Sequence, residues 1–333
     1  MEGQAQLAQG VDMDDLLTLH RHGLFLRQEA LAAGYEDSDL RTALRERVLV
    51  RVRHGAYVGA DTWQDGDDLW RFRLRGRAVQ LRHGERVMLS HTSAAAEHGV
   101  SLWRPDLERV HVVRLDGLSG GQSKDVVYHE GPGLADHAQP LGAGLGLEPV
   151  RSCLGAAALH GIEAGVVAID SLFHLGLGDP EQVAAAYRER ARTPHSRPLQ
   201  IVARLAREGA QSPGESRTRY AFFRQHLPAP VLQYEVRDHH GRLVGTTDFA
   251  WPQYRLLGEF DGRIKYGRLL RPGQDVSEVV YAEKVREDAL REATGFGMIR
   301  YTWADLSAPD RLAARTRRML ATYAAQRGDH FPG

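Results

Sequence analysis

Lysine and cysteine are almost missing from this chain. Its 333 residues hold three lysines, Lys124, Lys265 and Lys284, and one cysteine, Cys153. A single cysteine excludes an internal disulfide framework and a cysteine-rich zinc site. Net charge is missing too: 43 Lys+Arg balance 43 Asp+Glu, which excludes uniform attraction to nucleic acid and leaves only local patches. No stretch approaches the roughly 18 apolar residues of a membrane helix, so no membrane partner is expected. The acidic, polar start Met1-Glu-Gly-Gln lacks the basic and apolar regions of a secretory signal, and the expected location is the cytoplasm. Biased codon usage in a GC-rich genome accounts for the preponderance of arginine. Lys265 and Lys284 nevertheless both follow shortly after an acidic cluster, where they are candidates for a role arginine does not fill.

What is present describes an ordinary folded protein, with 42% apolar and 26% charged residues. The length exceeds what one hydrophobic core usually serves, so an α/β multidomain chain is expected.

The most informative stretch is Asp248-Phe-Ala-Trp-Pro-Gln-Tyr-Arg-Leu-Leu-Gly-Glu-Phe-Asp-Gly262. A strand-like run, Leu243–Trp251, stops at Pro252, and a second, Tyr254–Phe260, follows at once. Proline has no amide to donate to a ladder, so the break falls between strands. Asp248 and Glu259 then face each other across a hairpin, and period-two geometry puts Asp261 on the face of Glu259. Crowded carboxylates repel unless a cation joins them, and all-oxygen donors suit Mg²⁺ or Mn²⁺.

Around this stretch the order of elements reads αβββαβ. Ser212-Pro-Gly-Glu215 opens a helix as a capping box, with Pro213 at its first position. Glu215 is explained by that cap, by a place at the metal, or by both. Strands fit Val231–Val236, Leu243–Trp251 and the run ending at Asp261. A basic loop, 262–276, leads to a helix Glu278–Thr294, a strand Met298–Trp303 and a helix Asp310–Gln326. Arg263 and Arg268 make the loop suited to phosphate contact.

At the other end, helices fit Asp12–His20, Arg27–Ala33 and Asp39–Glu46. A hairpin follows, Val48–Arg53 and Ala56–Val58, around His54-Gly55. Three helices and a hairpin make a winged helix-turn-helix pattern. Arg41, Arg45, Arg51 and Arg53 suit a helix in the major groove with a basic wing on the backbone. An arginine-rich solvated face is the other reading. Between the ends, helices fit 68–81, 93–98, 164–175, 180–192 and 199–207, with a strand at 109–115. Glycine-rich stretches at 117–121 and 131–146 read as loops. His91, His98, His111 and His129 lack ligand spacing and are assigned no metal, and Cys153 reads as a packing residue. The domains drawn are 1–62, a middle α/β region with a helical linker at 63–210, and 211–333.

Five pieces, taken in order, resemble the PD-(D/E)XK nuclease superfamily, in particular its branch similar to very-short-patch-repair endonucleases (the domain of unknown function 559 type). They are Ser212–Arg217, Asp248–Pro252, Gly258–Gly262, Glu283–Arg291 and Ile299–Trp303. The resemblance implies a restriction-endonuclease-like core and a Mg²⁺- or Mn²⁺-dependent endodeoxyribonuclease acting in phage defence or DNA repair. Asp248, Glu259 and Glu215 would be the metal ligands. Asp261 stands where the family's Glu-x-Lys motif has lysine, and the Glu-x-Asp-Gly branch shares that change. Lys265 or Lys284 would then fill the vacancy, with the loop lysine preferred. Residues 12–58, chiefly Val48–Tyr57, resemble the winged-helix domain of antitoxins of type IV toxin–antitoxin (abortive-infection) systems. That resemblance implies double-stranded DNA, a cognate toxin and a second copy of the chain as partners. The alternative function is a catalytically inactive transcriptional regulator or antitoxin.

Overall fold

Helices and short strands run along the whole described chain, making an α/β protein with several sheets. This computed structural model describes residues 22–131, 133–191, 196–262 and 276–325. The expected helix Asp12–His20 and the loop carrying Arg263, Lys265 and Arg268 lie outside the described residues. Two compact units divide the chain, Met1–His160 and Gly161–Gly333, where the sequence suggests boundaries at 62/63 and 210/211. Among the described residues no helix is long and apolar enough to cross a membrane.

The first unit begins with β1 (Phe25–Leu26), α1 (Arg27–Ala32) and α2 (Asp37–Arg45). The hairpin β2 (Leu49–Arg53) and β3 (Ala56–Gly59) follows, and Gly55, at φ 75°, supplies the left-handed residue its tight turn needs. The strands pair in the order β1-β3-β2 over a core of Phe25, Leu40, Leu49 and Tyr57. There is no seam at residue 62. α3 (Ala60–Asp65) runs straight on from β3, and Leu24, Ala56 and Val58 pack against Leu74 and Ala78 of α4 (Asp68–His83).

A six-stranded sheet completes this unit: β4 (Val87–Leu89), β5 (Val110–Arg114), β6 (Gly121–Gln122), β7 (Val126–His129), β8 (Ala138–Leu141) and β9 (Gly144–Leu147), in the order β6-β7-β5-β4-β9-β8. α5 (His91–Glu97) follows β4, and α6 (Pro149–His160) follows β9. The glycine-rich stretch 131–146, expected to be a loop, therefore holds β8 and most of β9, whereas 117–120 is a loop as expected. Gly142, at φ 66°, starts the turn joining Leu141 to Gly144, and a buried glutamine on α4 secures it. Gln80 Nε2 donates to the Leu141 and Leu145 carbonyls at 2.8 Å each, and its Oε1 accepts the Ala143 amide at 2.9 Å. Cys153 is buried on α6, which raises its thiol pKa, as fits a packing residue.

The second unit opens with three helices, α7 (Ile162–His174), α8 (Pro180–Arg190) and α9 (Ser196–Leu205), followed by α10 (Pro213–Arg224). Buried Asp170 of α7 accepts two hydrogen bonds from Arg219 of α10, tying helices read as linker to the C-terminal half. Then come β10 (Val231–Arg237), β11 (Leu243–Trp251), β12 (Leu256–Asp261), α11 (Val276–Thr294), β13 (Gly297–Thr302), α12 (Trp303–Leu306) and α13 (Pro309–Ala325). β10, β11 and β12 are antiparallel neighbours, while β13 pairs parallel with β12 after α11. Only that last step needs a helical crossover, as the order of elements predicts. The break at Pro252 is a short 3₁₀ turn, Pro252–Tyr254, closed by Arg255 in the left-handed region at φ 52°. β12 therefore starts at Leu256 rather than Tyr254. Phe222, Phe249, Trp251, Tyr301 and Leu320 form one core on this sheet, while Val236, Ala250, Leu257 and Leu290 form the other.

Candidate functional site

Strand register lines up the polar residues of the second sheet. β11 and β12 pair as Phe249↔Gly258, Ala250↔Leu257 and Trp251↔Leu256, so one further step sets Asp248 opposite Glu259. On the far side, Leu232↔Phe249 and Tyr234↔Thr247 set Gln233 level with Asp248. Across the parallel pair, Glu259 meets Arg300. One row, Gln233–Asp248–Glu259–Arg300, thus crosses all four strands. The β11–β12 ladder ends just before this row, and the Asp248 carboxylate takes over there, its Oδ2 accepting the Phe260 amide at 2.7 Å.

Helices bring the remaining groups. Ser212 caps α10: its Oγ accepts the Glu215 amide at 3.2 Å and donates to Glu215 Oε1 at 2.7 Å. Glu215 Oε2 accepts the Gln211 amide at 2.8 Å, one residue before the cap, so Ser212 caps α10 as expected but the reciprocal bond of a capping box is not formed. Glu215 also borders a cavity of about 260 Å³ shared with Asp248, Glu259, Asp261, Glu283, Arg286 and Arg300. The cap and the place at the cavity coexist, because the first turn of α10 ends there.

Three carboxylates of this cavity, Asp248, Glu215 and Glu259, hold their protons more readily than usual. Burial raises Asp248 to about 6, the Glu215 charge adds to the rise, and the Phe260 amide and Gln233 oppose it. Burial also raises Glu215 and Glu259. For Glu259 it outweighs two cations: Arg286, hydrogen-bonded to its Oε1, and Arg300, 3.6 Å from Oε2. The same contact holds Arg286 charged. A guanidinium does not give up its proton near neutral pH, so the variable member of this pair is the carboxylate.

The sequence expectation about the vacant lysine meets a different cation. Lys284 is exposed on α11 and does not border the cavity, whereas Arg286, two residues on, reaches it. Arg286 lies one turn before Leu290, the buried anchor of α11, and so on its inward face. That spacing was the available signal. Arg300 is held by Glu283 and Glu287 at 3.0 Å each, and Asp261 borders the cavity at the end of β12.

Two carboxylates from adjacent strands, opening into a polar and net acidic cavity, have the donor chemistry of a hard divalent cation. Among the described residues, no group of three or more His, Cys, Asp or Glu side chains is gathered so as to hold an ion. Glu215 borders the same cavity, and its two hydrogen-bonded oxygens, like those of Glu259 beside Arg286 and Arg300, keep lone pairs that a cation could share. Mg²⁺ is commonly bound through one or two carboxylates, with water and phosphate completing its shell.

In the first unit, Arg41, Arg45 and Arg51 are exposed. Arg53 is engaged elsewhere: its Nε and Nη2 donate to Asp125 at 2.6 and 3.2 Å. A concave surface of about 560 Å³ is bordered by Arg41, Arg51, His54 and Arg82, with Arg27 tied to Asp37. Arg82 comes from α4, beyond the part read as DNA-binding.

Three of the histidines that look scattered in the sequence form a stack. His91 of α5, His111 of β5 and His129 of β7 lie with ring centroids 3.9 Å (His91–His129) and 5.2 Å (His111–His129) apart. Nδ1 of His111 is 2.9 Å from Nε2 of His129. His98 is apart from them, with Nε2 2.9 Å from the Leu147 carbonyl. Parallel pairing of β5 and β7 sets His111 and His129 near one another, which linear spacing does not reveal.

No protein-family model matches the chain, and no curated protein matches it. A crystal structure of the RV2827C protein from Mycobacterium tuberculosis is similar over 68% of this chain and 83% of that one, at 17% identity and a TM-score of 0.38. A likeness that slight carries no argument about fold or function.

Proposed function

We propose that this chain is a DNA-binding protein whose C-terminal unit hydrolyses phosphodiester bonds with Mg²⁺ or Mn²⁺, as an endonuclease of the PD-(D/E)XK type. The observation that carries the reading is the opposition of Asp248 and Glu259 across β11 and β12, where both border one polar cavity with Glu215 and Asp261. The αβββαβ order from Pro213 to Thr302 supports it. A bound divalent ion would supply an activated water and polarise the scissile phosphate. Asp248 and Glu259 would hold that ion. Arg286 and Arg300 would face the non-bridging oxygens of the phosphate and stabilise the charge that develops on them. Arg286 would then take the part for which Lys284 was a candidate, while Lys265 lies outside the described residues.

In the first unit, two helices followed by a hairpin, with strand order β1-β3-β2, support a winged helix. Arg41, Arg45 and Arg51 would contact duplex DNA, positioning the second unit on its substrate. The direct test is nicking of supercoiled plasmid with Mg²⁺ or Mn²⁺ by wild-type protein and by Glu259→Gln. That substitution keeps size and hydrogen bonding but removes the charge that holds the ion. Cleavage should be nearly abolished, with DNA binding intact.

A specific observation favours a second reading, an inactive regulator or antitoxin. Glu259 is paired with Arg286 and Arg300, Glu215 is hydrogen-bonded to Ser212 and Gln211, and among the described residues no lysine borders the cavity. Wild-type protein that binds operator-length duplex but cleaves neither single- nor double-stranded DNA with either metal would establish this reading over the first.

A further inference from the structure

Gln233 is the anomaly of the second sheet. It sits inside β10 with φ 46°, in the left-handed region that side chains beyond glycine and asparagine seldom adopt. In a regular strand, Leu232 and Tyr234 would straddle Gln233 on one face with it pointing to the other. Here Leu232 packs with the Phe222–Trp251 core and Tyr234 with the Val236–Leu290 core. The strained residue is where the strand changes faces. Backbone strain of this kind persists only where its surroundings hold it, and it concentrates at functional sites.

The strain aims one side chain. The Gln233 amide donates to Glu215 Oε2 at 3.4 Å, and strand register sets it level with Asp248, whose carboxylate it helps to keep ionised. It therefore spans two buried acids that repel each other, one from α10 and one from β11. We propose that Gln233 is a positioning residue whose carboxamide bridges Glu215 and Asp248 and fixes the Asp248 carboxylate for a divalent cation shared with Glu259. This rests on the phosphodiesterase reading above. An amide suits the task because it tethers without changing charge. A lysine there would neutralise Asp248 and compete with the ion, and a third carboxylate would add repulsion.

The test uses the full chain and Mn²⁺ alone as probe, with binding measured by isothermal titration calorimetry. Gln233→Gly removes the amide and accepts φ 46° without cost, so loss of fold does not confound it. Gln233→Leu removes the amide and keeps the bulk. Outer-shell partners of metal ligands typically govern affinity by about 10–100-fold. Both variants should bind Mn²⁺ at least about tenfold more weakly, with the Tm of the glycine variant no lower than that of wild type. The Mn²⁺ concentration for half-maximal plasmid cleavage should rise by the same factor, while the rate at saturating Mn²⁺ stays within about twofold. A purely structural glutamine would not separate these two quantities. Wild type and Gln233→Gly binding Mn²⁺ equally well would overturn the role of Gln233 and leave the phosphodiesterase reading standing. Wild type that neither binds Mn²⁺ nor cleaves would overturn both.

Discussion

Acidification should destabilise the first unit through its histidine stack. His111 is 5% exposed. Burial first, then the neighbouring His129 and His160, lower its pKa from 6.5 to about 4 against the opposing pull of Asp106. The unfolded chain takes up this proton near pH 6.5, and the folded chain resists it until near pH 4. Between those values the unfolded state binds more protons, so stability falls as pH falls and is complete only above about pH 6.5. Integrating the linkage from about pH 7.5 to about pH 5 costs the fold about 2 kcal/mol from His111 alone. His98 and His160 are also lowered by burial and add in the same direction. The assay is hydrogen exchange followed peptide by peptide in urea at the two pH values, which separates residues 22–160 from the rest of the chain. His111→Gln keeps a hydrogen-bonding group towards His129 but does not titrate. Its stability in this unit should depend on pH less steeply, by about the same 2 kcal/mol. Equal losses in wild type and variant would refute the assignment of this pH dependence to His111.

Breaking the buried pair in the second unit should be more costly. Asp170 is 1% exposed and Arg219 8%, so Arg219→Met leaves a carboxylate with little but the Arg207 amide, and about 3–5 kcal/mol of stability should be lost in urea unfolding. Asp170→Leu combined with Arg219→Met should recover most of that loss. For the arginines of the first unit, Arg41→Ala and Arg51→Ala should each lower the salt slope of duplex binding by about one unit in fluorescence anisotropy. Arg53→Ala should leave the slope unchanged and lower the Tm instead, because Asp125 occupies its guanidinium.

The C-terminal half was legible because its signals are local. Ser212, Pro213 and Glu215 announce the start of α10 within four residues, and Pro252 marks the end of β11. Alternation then orients Asp248 and Glu259 before any tertiary contact is known. The helix-and-hairpin beginning was legible for the same reason, with His54-Gly55 marking its turn. Of the six-stranded sheet only β5, read at 109–115, was. Its strands are two to five residues long, several lie in glycine-rich sequence, and their order in space departs from their order in the chain. Glycine there serves close packing, as where Gly144 lies against Gln80, and in sequence that use is indistinguishable from a loop.

Residue types and periodicity by themselves determined which segments become helices and strands in the C-terminal half, and which carboxylates share a hairpin there. Caps, breaks and alternation act over a few neighbouring residues, so the chain carries that information in linear form. Tertiary structure alone decided that Arg286 rather than Lys284 reaches Glu259, that Asp125 claims Arg53, that three distant histidines stack, and that Gln233 is bent towards two acids. Each of these depends on which elements pack together, and hence on how burial of many apolar side chains at once balances the cost of ordering the backbone.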